Sequence, residues 1–321
     1  MDWIAHGVVF CAAIWLMHRS SDWIIGSLMN LSKVLGIREF IVGFFVMAAA
    51  SSMPNLFLGI TSATQGVSEL SLGDVFGNNF VAMTLAVIVA IIFAPKKEIE
   101  TGGQTIQTTA IFTMCAALLP VLLIFDGLLS KADGIILIGF FFVYLFWLIK
   151  KQDLFSKVYN HVPPGQSPID KIRGGIKDIG FVGLALAMLV AASIGVVYSA
   201  TFFAHRWGVP ILIVGLLVTG LGNALPEIYF AIASSKKRET QLIIGNLMGS
   251  VIFPATLVLG IVALIQPIVV ANFQFALSSR IFLFIAAILF FSFTRSKNKI
   301  SLGEGSILLA LYIAFVAFLL F

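Results

Sequence analysis

Apolar residues in this chain come in successive long runs, separated only by short charged or turn-rich breaks. A helix needs about 20 residues to cross a bilayer, and most of these runs reach that length. The chain is 60% hydrophobic and 11% charged, where a soluble domain carries about 25% charged residues. Lipid is therefore the solvent for most of it. Backbone groups in lipid must be satisfied within each segment, so the runs are predicted to be helices. A membrane β-barrel would show short alternating segments instead.

Ten spans are expected, near 3–31 (with an interfacial kink around residues 19–22), 39–65, 72–94, 106–126, 132–150, 179–204, 209–235, 241–265, 275–294 and 302–321. The stretch 151–178 is polar, contains Pro163, Pro164, Gly165 and Pro168, and reads as a loop. Placing the N-terminus outside puts seventeen of the twenty Lys and Arg residues in inside loops and leaves Lys131, Arg206 and Arg280 outside. That split follows the positive-inside rule and predicts that both termini face outside. The domains are then a first half, 1–150, a cytoplasmic connecting loop, 151–178, and a second half, 179–321. Five spans per half is an odd number, so the halves insert in opposite senses.

The formal charge of +5 lies beside the spans, where it acts as a topological signal; nucleic acid is not implied. Cys11 and Cys115 fall inside apolar runs and imply no disulfide framework. The first apolar run has no basic start and no small-residue cleavage site, so it is expected to remain as a span.

The halves are related by sequence. Sliding residues 42–85 onto 214–257, an offset of 172, gives eleven identities in forty-four positions, among them Pro54/Pro226, Ser62/Ser234, Gly73/Gly245, Gly77/Gly249 and Thr84/Thr256. Matches on Gly and Pro are not explained by apolar composition. Inverted repeats with helices broken near mid-membrane are the mark of secondary transporters. Pro54 and Pro226 are the predicted breaks, since proline removes a donor and frees the carbonyl four residues earlier.

At these residues the chain resembles the calcium/cation antiporter superfamily, which includes the sodium/calcium exchangers. Ala50-Ser51-Ser52-Met53-Pro54-Asn55 and Gly222-Asn223-Ala224-Leu225-Pro226-Glu227 resemble the family's Gly-Thr-Ser-Leu-Pro-Glu motif. The stretches 73–78 and 245–250 resemble its Gly-Asn-x-x-Gly-Ser motif. The resemblance implies an all-α polytopic membrane protein of ten transmembrane helices in two inverted five-helix repeats, sodium/calcium exchanger-like. It implies a secondary-active cation antiporter, not an enzyme, in a prokaryotic inner membrane. No cofactor is expected beyond transported cations (Ca2+, Na+ or H+). The expected partners are small cations and the lipid bilayer; no protein partner is indicated.

The resemblance also assigns a site. Glu227, Asn55, Ser52, Asn78 and Ser250 are the implied metal ligands, and Ser51, Asn223 and Asp74 join them in the ion-binding group. This chain departs from the family pattern: Asn55 stands where a second glutamate is expected, Ala224 replaces a hydroxyl, and Ala82 and Pro254 replace an Asn or Asp. Glu227 is the one acid expected deep within a span, and an intramembrane carboxylate is a functional-site hypothesis by default. Asp74 lies one turn before Asn78. It either adds a second charge to the site or, more simply, sits at the N-terminal end of the third span, where the helix dipole favours an acid.

Calcium takes about six to eight oxygens, usually with more than one carboxylate. A single carboxylate leaves open a proton-coupled or monovalent-cation exchanger, or a divergent member without transport. An intramembrane enzyme is disfavoured, because His6, His18, His161 and His205 are expected at span ends or in the loop and form no i, i+4 pair.

Overall fold

The computed structural model describes residues 2–35, 52–150, 168–236, 240–270 and 273–320. Of the expected loop 151–178, residues 151–167 lie outside these residues, as does Ser51, whereas 168–178 are not loop but the first turns of a helix that begins at Pro168. The first half contains α1 (Asp2–Leu35), α2 (Met53–Thr64), α3 (Glu69–Met83), α4 (Leu85–Phe93), β1 (Glu98–Glu100), α5 (Gln104–Leu123), β2 (Leu128–Leu129) and α6 (Lys131–Lys150). The second contains α7 (Pro168–Trp207), α8 (Ile211–Val214), a π-turn at Gly215–Thr219, α9 (Gly220–Lys236), α10 (Thr240–Phe253), a second π-turn at Pro254–Val258, α11 (Leu259–Ile265), β3 (Ile268–Val269), α12 (Phe273–Arg295), β4 (Lys299–Ser301) and α13 (Leu302–Leu320).

Among the described residues, eight helical stretches are long and apolar enough to span a bilayer. The two remaining spans are α1, whose apolar run is interrupted at residues 18–22, and the segment ending in α2, whose first half is not described. The expected kink at residues 19–22 is absent: α1 is a single 34-residue helix. Ser20 and Ser21 donate instead to the carbonyls of Leu16 and Met17, so their hydroxyls are satisfied within the helix.

The core is set by which spans lose contact with lipid. The α3–α4 span is 83% buried and the span at 243–265 is 78% buried, whereas α13 is 22% buried. The two most enclosed spans are counterparts in the repeat, so the halves pack centre to centre. α1 and α7, also counterparts, lie against each other outside this bundle.

Two short ribbons report the inverted topology. β1 pairs antiparallel with β4, and β2 with β3, so each ribbon joins one half to the other. The first ribbon carries Lys96, Lys97, Lys297 and Lys299, with Lys299 Nζ 2.8 Å from Glu98. The second is made of Leu128, Leu129, Ile268 and Val269. Both α6 and α13 begin at a capping box: Ser130 donates through backbone and hydroxyl to Asp133, and Ser301 does so to Glu304.

Repeated glycines have a steric reason at one seam. A Cβ on Gly73 would sit 2.3 Å from the Leu212 carbonyl oxygen, and one on Gly77 would sit 2.1 Å from that of Leu216. The four-residue glycine spacing lets α3 press backbone to backbone on the first π-turn.

Candidate functional site

Proline chemistry builds the centre, differently in the two halves. Pro54 lies in the first turn of α2, where its missing donor is an orphan position anyway. Pro226 lies inside an uninterrupted α9, so the expected break there does not occur. The helix loosens earlier instead, at the π-turn Gly215–Thr219. Pro226 still cannot bond the carbonyl of Gly222, four residues back. His18 Nε2, from the middle of α1, lies 3.2 Å from that oxygen. His18 is therefore not a span-end residue, and sequence reasoning missed its role. The signal was available: a proline within a span leaves a carbonyl that some side chain must answer.

Pro254 acts in the same way. It has no N–H to give the carbonyl of Ser250, and Asn78 Nδ2 donates to that oxygen at 3.2 Å. Asn78 and Ser250 are 172 residues apart, which is the repeat offset. Counterparts related by a two-fold axis touch only near that axis, so this bond marks where the halves meet. One pair further along, Thr84 and Thr256 both donate to the carbonyl four residues back, Phe80 and Ile252 respectively. At Thr84 the first-half helix is interrupted (φ −123°, ψ −80°), and its counterpart lies in the second π-turn.

Asp74 corrects the simpler expectation. It is not at a span end: it is fully buried, the sixth residue of α3. Glu227 is consequently not the one deep acid. Asp74 accepts from Asn55 Nδ2 on Oδ2 at 3.2 Å and from Asn223 Nδ2 on Oδ1 at 2.8 Å. Asn55 comes from the first half and Asn223 from the second. Thr219 adjoins the same carboxylate and donates to the Gly215 carbonyl at 3.0 Å.

Glu227 is 5% exposed, and its Oε2 has no hydrogen-bond partner. Ser250 is buried and donates its hydroxyl to Leu247 O at 3.0 Å. Ser52 is buried as the residue preceding α2 and makes no side-chain cap. Asn78 Oδ1 is buried without a partner. The structure thus gathers Asn55, Asn223 and Asp74 into one cluster and Asn78 and Ser250 into an adjoining pair.

This centre is rich in acceptors. Asn55, Asn78 and Asn223 each spend one amide N–H on a protein acceptor, and the Ser250 hydroxyl spends its own. Each amide keeps a second N–H and its oxygen lone pairs. The buried oxygens left without a partner, Glu227 Oε2 and Asn78 Oδ1, are acceptors that suit a cation. Among the described residues no three of His, Cys, Asp and Glu converge as a metal cluster. The centre is one of amides and hydroxyls with one open carboxylate.

The sodium/calcium exchanger protein family model matches residues 6–150 and 177–321. The chain is 27% identical over 309 residues to the putative antiporter CaxA of Alkalimonas amylolytica, covering 94% of both chains. It is 24% identical over 336 residues to the sodium/calcium exchanger MaX1 of Methanosarcina acetivorans, covering 94% of this chain and 95% of that one. The fold matches the sodium-calcium exchanger NCX_Mj with a TM-score of 0.64 at 20% identity, covering 98% of this chain and 99% of the other.

Proposed function

Because this chain belongs to the sodium/calcium exchanger protein family, we propose that it is a secondary-active cation antiporter exchanging calcium against sodium, with the ion held at mid-membrane between two inverted repeats. We read it as a transporter, not an enzyme. The observation that carries this reading is the buried, partnerless Glu227 Oε2 together with the open Asn78 Oδ1. Glu227, Asn55, Asn78, Ser250 and Ser52 supply metal-ligand oxygens, and Asn223 and Ser51 join them in the ion-binding group. The Gly222 carbonyl is engaged by His18 and is not counted among the ligands.

The charge balance supports a divalent ion. Glu227 supplies one negative charge directly. Asp74 supplies a second from behind the two amides that it anchors. The repeats comprise 1–150 and 179–321, joined by a cytoplasmic connection at 151–178 whose last turns belong to α7, in a cell membrane with both termini outside. The two-part family match and Lys96, Lys97, Lys297 and Lys299 in and beside the β1–β4 ribbon support this layout.

Alternating access follows from the packing. α1 and α7 lie together outside the enclosed bundle and move against it, exposing the centre to either side in turn. Calcium flux into proteoliposomes tests the proposal. An imposed sodium gradient should drive uptake; no flux of any divalent ion, with or without the gradient, refutes it.

A proton-coupled exchanger is the second reading, favoured by Asn55 standing where the family pattern has a second glutamate and by the single open carboxylate, Glu227. Cation flux driven by a pH gradient and indifferent to sodium would select it.

A further inference from the structure

Asparagine is a poor substitute for glutamate in a cation site for a geometric reason. A carboxylate presents oxygen whichever way it rotates. An amide presents oxygen in one flip and a donor NH2 group in the other, and the two flips have nearly the same shape. A chain with Asn55 in a ligand position therefore needs a device that selects the flip.

The cluster contains such a device. An ionised carboxylate accepts hydrogen bonds and donates none. Any amide held against it must turn its nitrogen inward. Asn55 and Asn223 both do so, one on each oxygen of Asp74. Oxygen and nitrogen diverge from the same planar carbon, so both amide oxygens point away from Asp74. Asn78 shows the same outcome by another route: the Ser250 carbonyl takes its nitrogen and its oxygen is left open. The repeat counterpart of Asp74 is Asn246, so the carboxylate device occurs once and not twice.

We propose that Asp74 is a positioning residue that acts through Asn55 and Asn223, locking both amides so that their oxygens face the transported cation. This rests on the proposed function. It places the missing second charge one layer behind the ligands. The carboxylate there holds two oriented dipoles instead of meeting the ion itself.

The test is a calcium-binding cycle on the full-length protein in detergent, with thermal unfolding as the check of fold. In the native background Asp74→Asn should raise the calcium Kd by about 10- to 100-fold, the usual cost of losing a residue that orients ligands. In an Asn55→Ala/Asn223→Ala background the same substitution should raise Kd by a factor at least about threefold smaller than in the native background, because the amides through which it acts are gone and only its charge remains. A full loss in both backgrounds overturns the proposal, since Asp74 would then act on the ion directly. An unchanged Kd in the native background overturns it too. Where Asp74→Asn is not recovered folded, Asn55→Ala and Asn223→Ala singly decide: each should weaken binding, and normal affinity in both refutes the inference. Wild-type protein that binds no calcium refutes the transport reading itself, and with it this one.

Discussion

Gly77→Ala adds one methyl group at the tightest glycine contact among the described residues. The new Cβ would lie 2.1 Å from the Leu216 carbonyl oxygen, 2.8 Å from its carbon and 3.0 Å from its Cα. Ordinary contact begins at 3.4 Å, so the shortfall to the oxygen is 3.4 − 2.1 = 1.3 Å. All three atoms are backbone, and no rotamer change relieves them. α3 and the π-turn must separate. Overpacking costs about 1–3 kcal/mol, while removing a helical glycine returns about 0.5–1 kcal/mol. The backbone nature of the clash puts the net loss near 2 kcal/mol, or roughly 4–8 °C in melting temperature. Separation also draws Asn78, the next residue, off the Ser250 carbonyl 3.2 Å away. Calcium uptake should therefore fall by at least about tenfold. The assays are thermal unfolding in detergent and proteoliposome flux. Gly183→Ala is the control: nothing lies within 4 Å of its added Cβ, and it should stabilise by up to about 1 kcal/mol. A Gly77→Ala protein that melts at or above wild type and transports normally would refute the close-packing argument.

Glu227→Gln should abolish flux while the protein still folds, because it removes the open carboxylate of the centre; wild-type flux in that variant contradicts the assigned role. Asn55→Asp/Asp74→Asn keeps a carboxylate paired with an amide but moves the charge to the ligand position, so its calcium Kd should recover towards wild type where Asp74→Asn alone is weak. His18→Phe strands the Gly222 carbonyl and should destabilise by about 1–3 kcal/mol. Adding Pro226→Ala supplies a backbone donor and should recover most of that loss; equal stability with and without it would sever His18 from the proline. At the ribbon, the hydrogen bond from Lys299 holds the Glu98 carboxyl below its ordinary range, with the Lys299 and Lys96 charges acting in the same direction. That contribution is present above about pH 4.3 and is lost as pH falls through the lowered value. The small melting difference between wild type and Glu98→Gln should therefore vanish in acid.

Ten spans, opposite insertion and paired motifs were legible in the sequence because lipid imposes a length and a composition on every crossing segment. The offset of 172 was legible because glycine and proline are scarce enough for their coincidence to carry meaning. Asp74 was misjudged for a definite reason. Its position, two residues into the expected span 72–94, is the same for a solvated helix start and for a buried charge. Only the amides from α2 and α9, 19 and 149 residues away, decide between them. Pro226 was read as a break because the local rule says a carbonyl is freed; the rule held, but His18 answered that carbonyl from 204 residues away and the helix continued. Local chemistry predicts which groups need partners. The partners belong to the tertiary fold.

The two ribbons also govern the order in which the molecule can be made. Glu98 pairs with Ser301 and Leu128 with Val269, so strands exposed early in translation wait for partners synthesised 203 and 141 residues later. Until then the first five helices hold an incomplete centre and two unpaired strands. Release from the insertion machinery as a finished half is disfavoured, and a ribosome stalled after the fifth span would leave a product prone to degradation. Co-expressing the halves as separate chains should rescue one another, since both ribbons close between them.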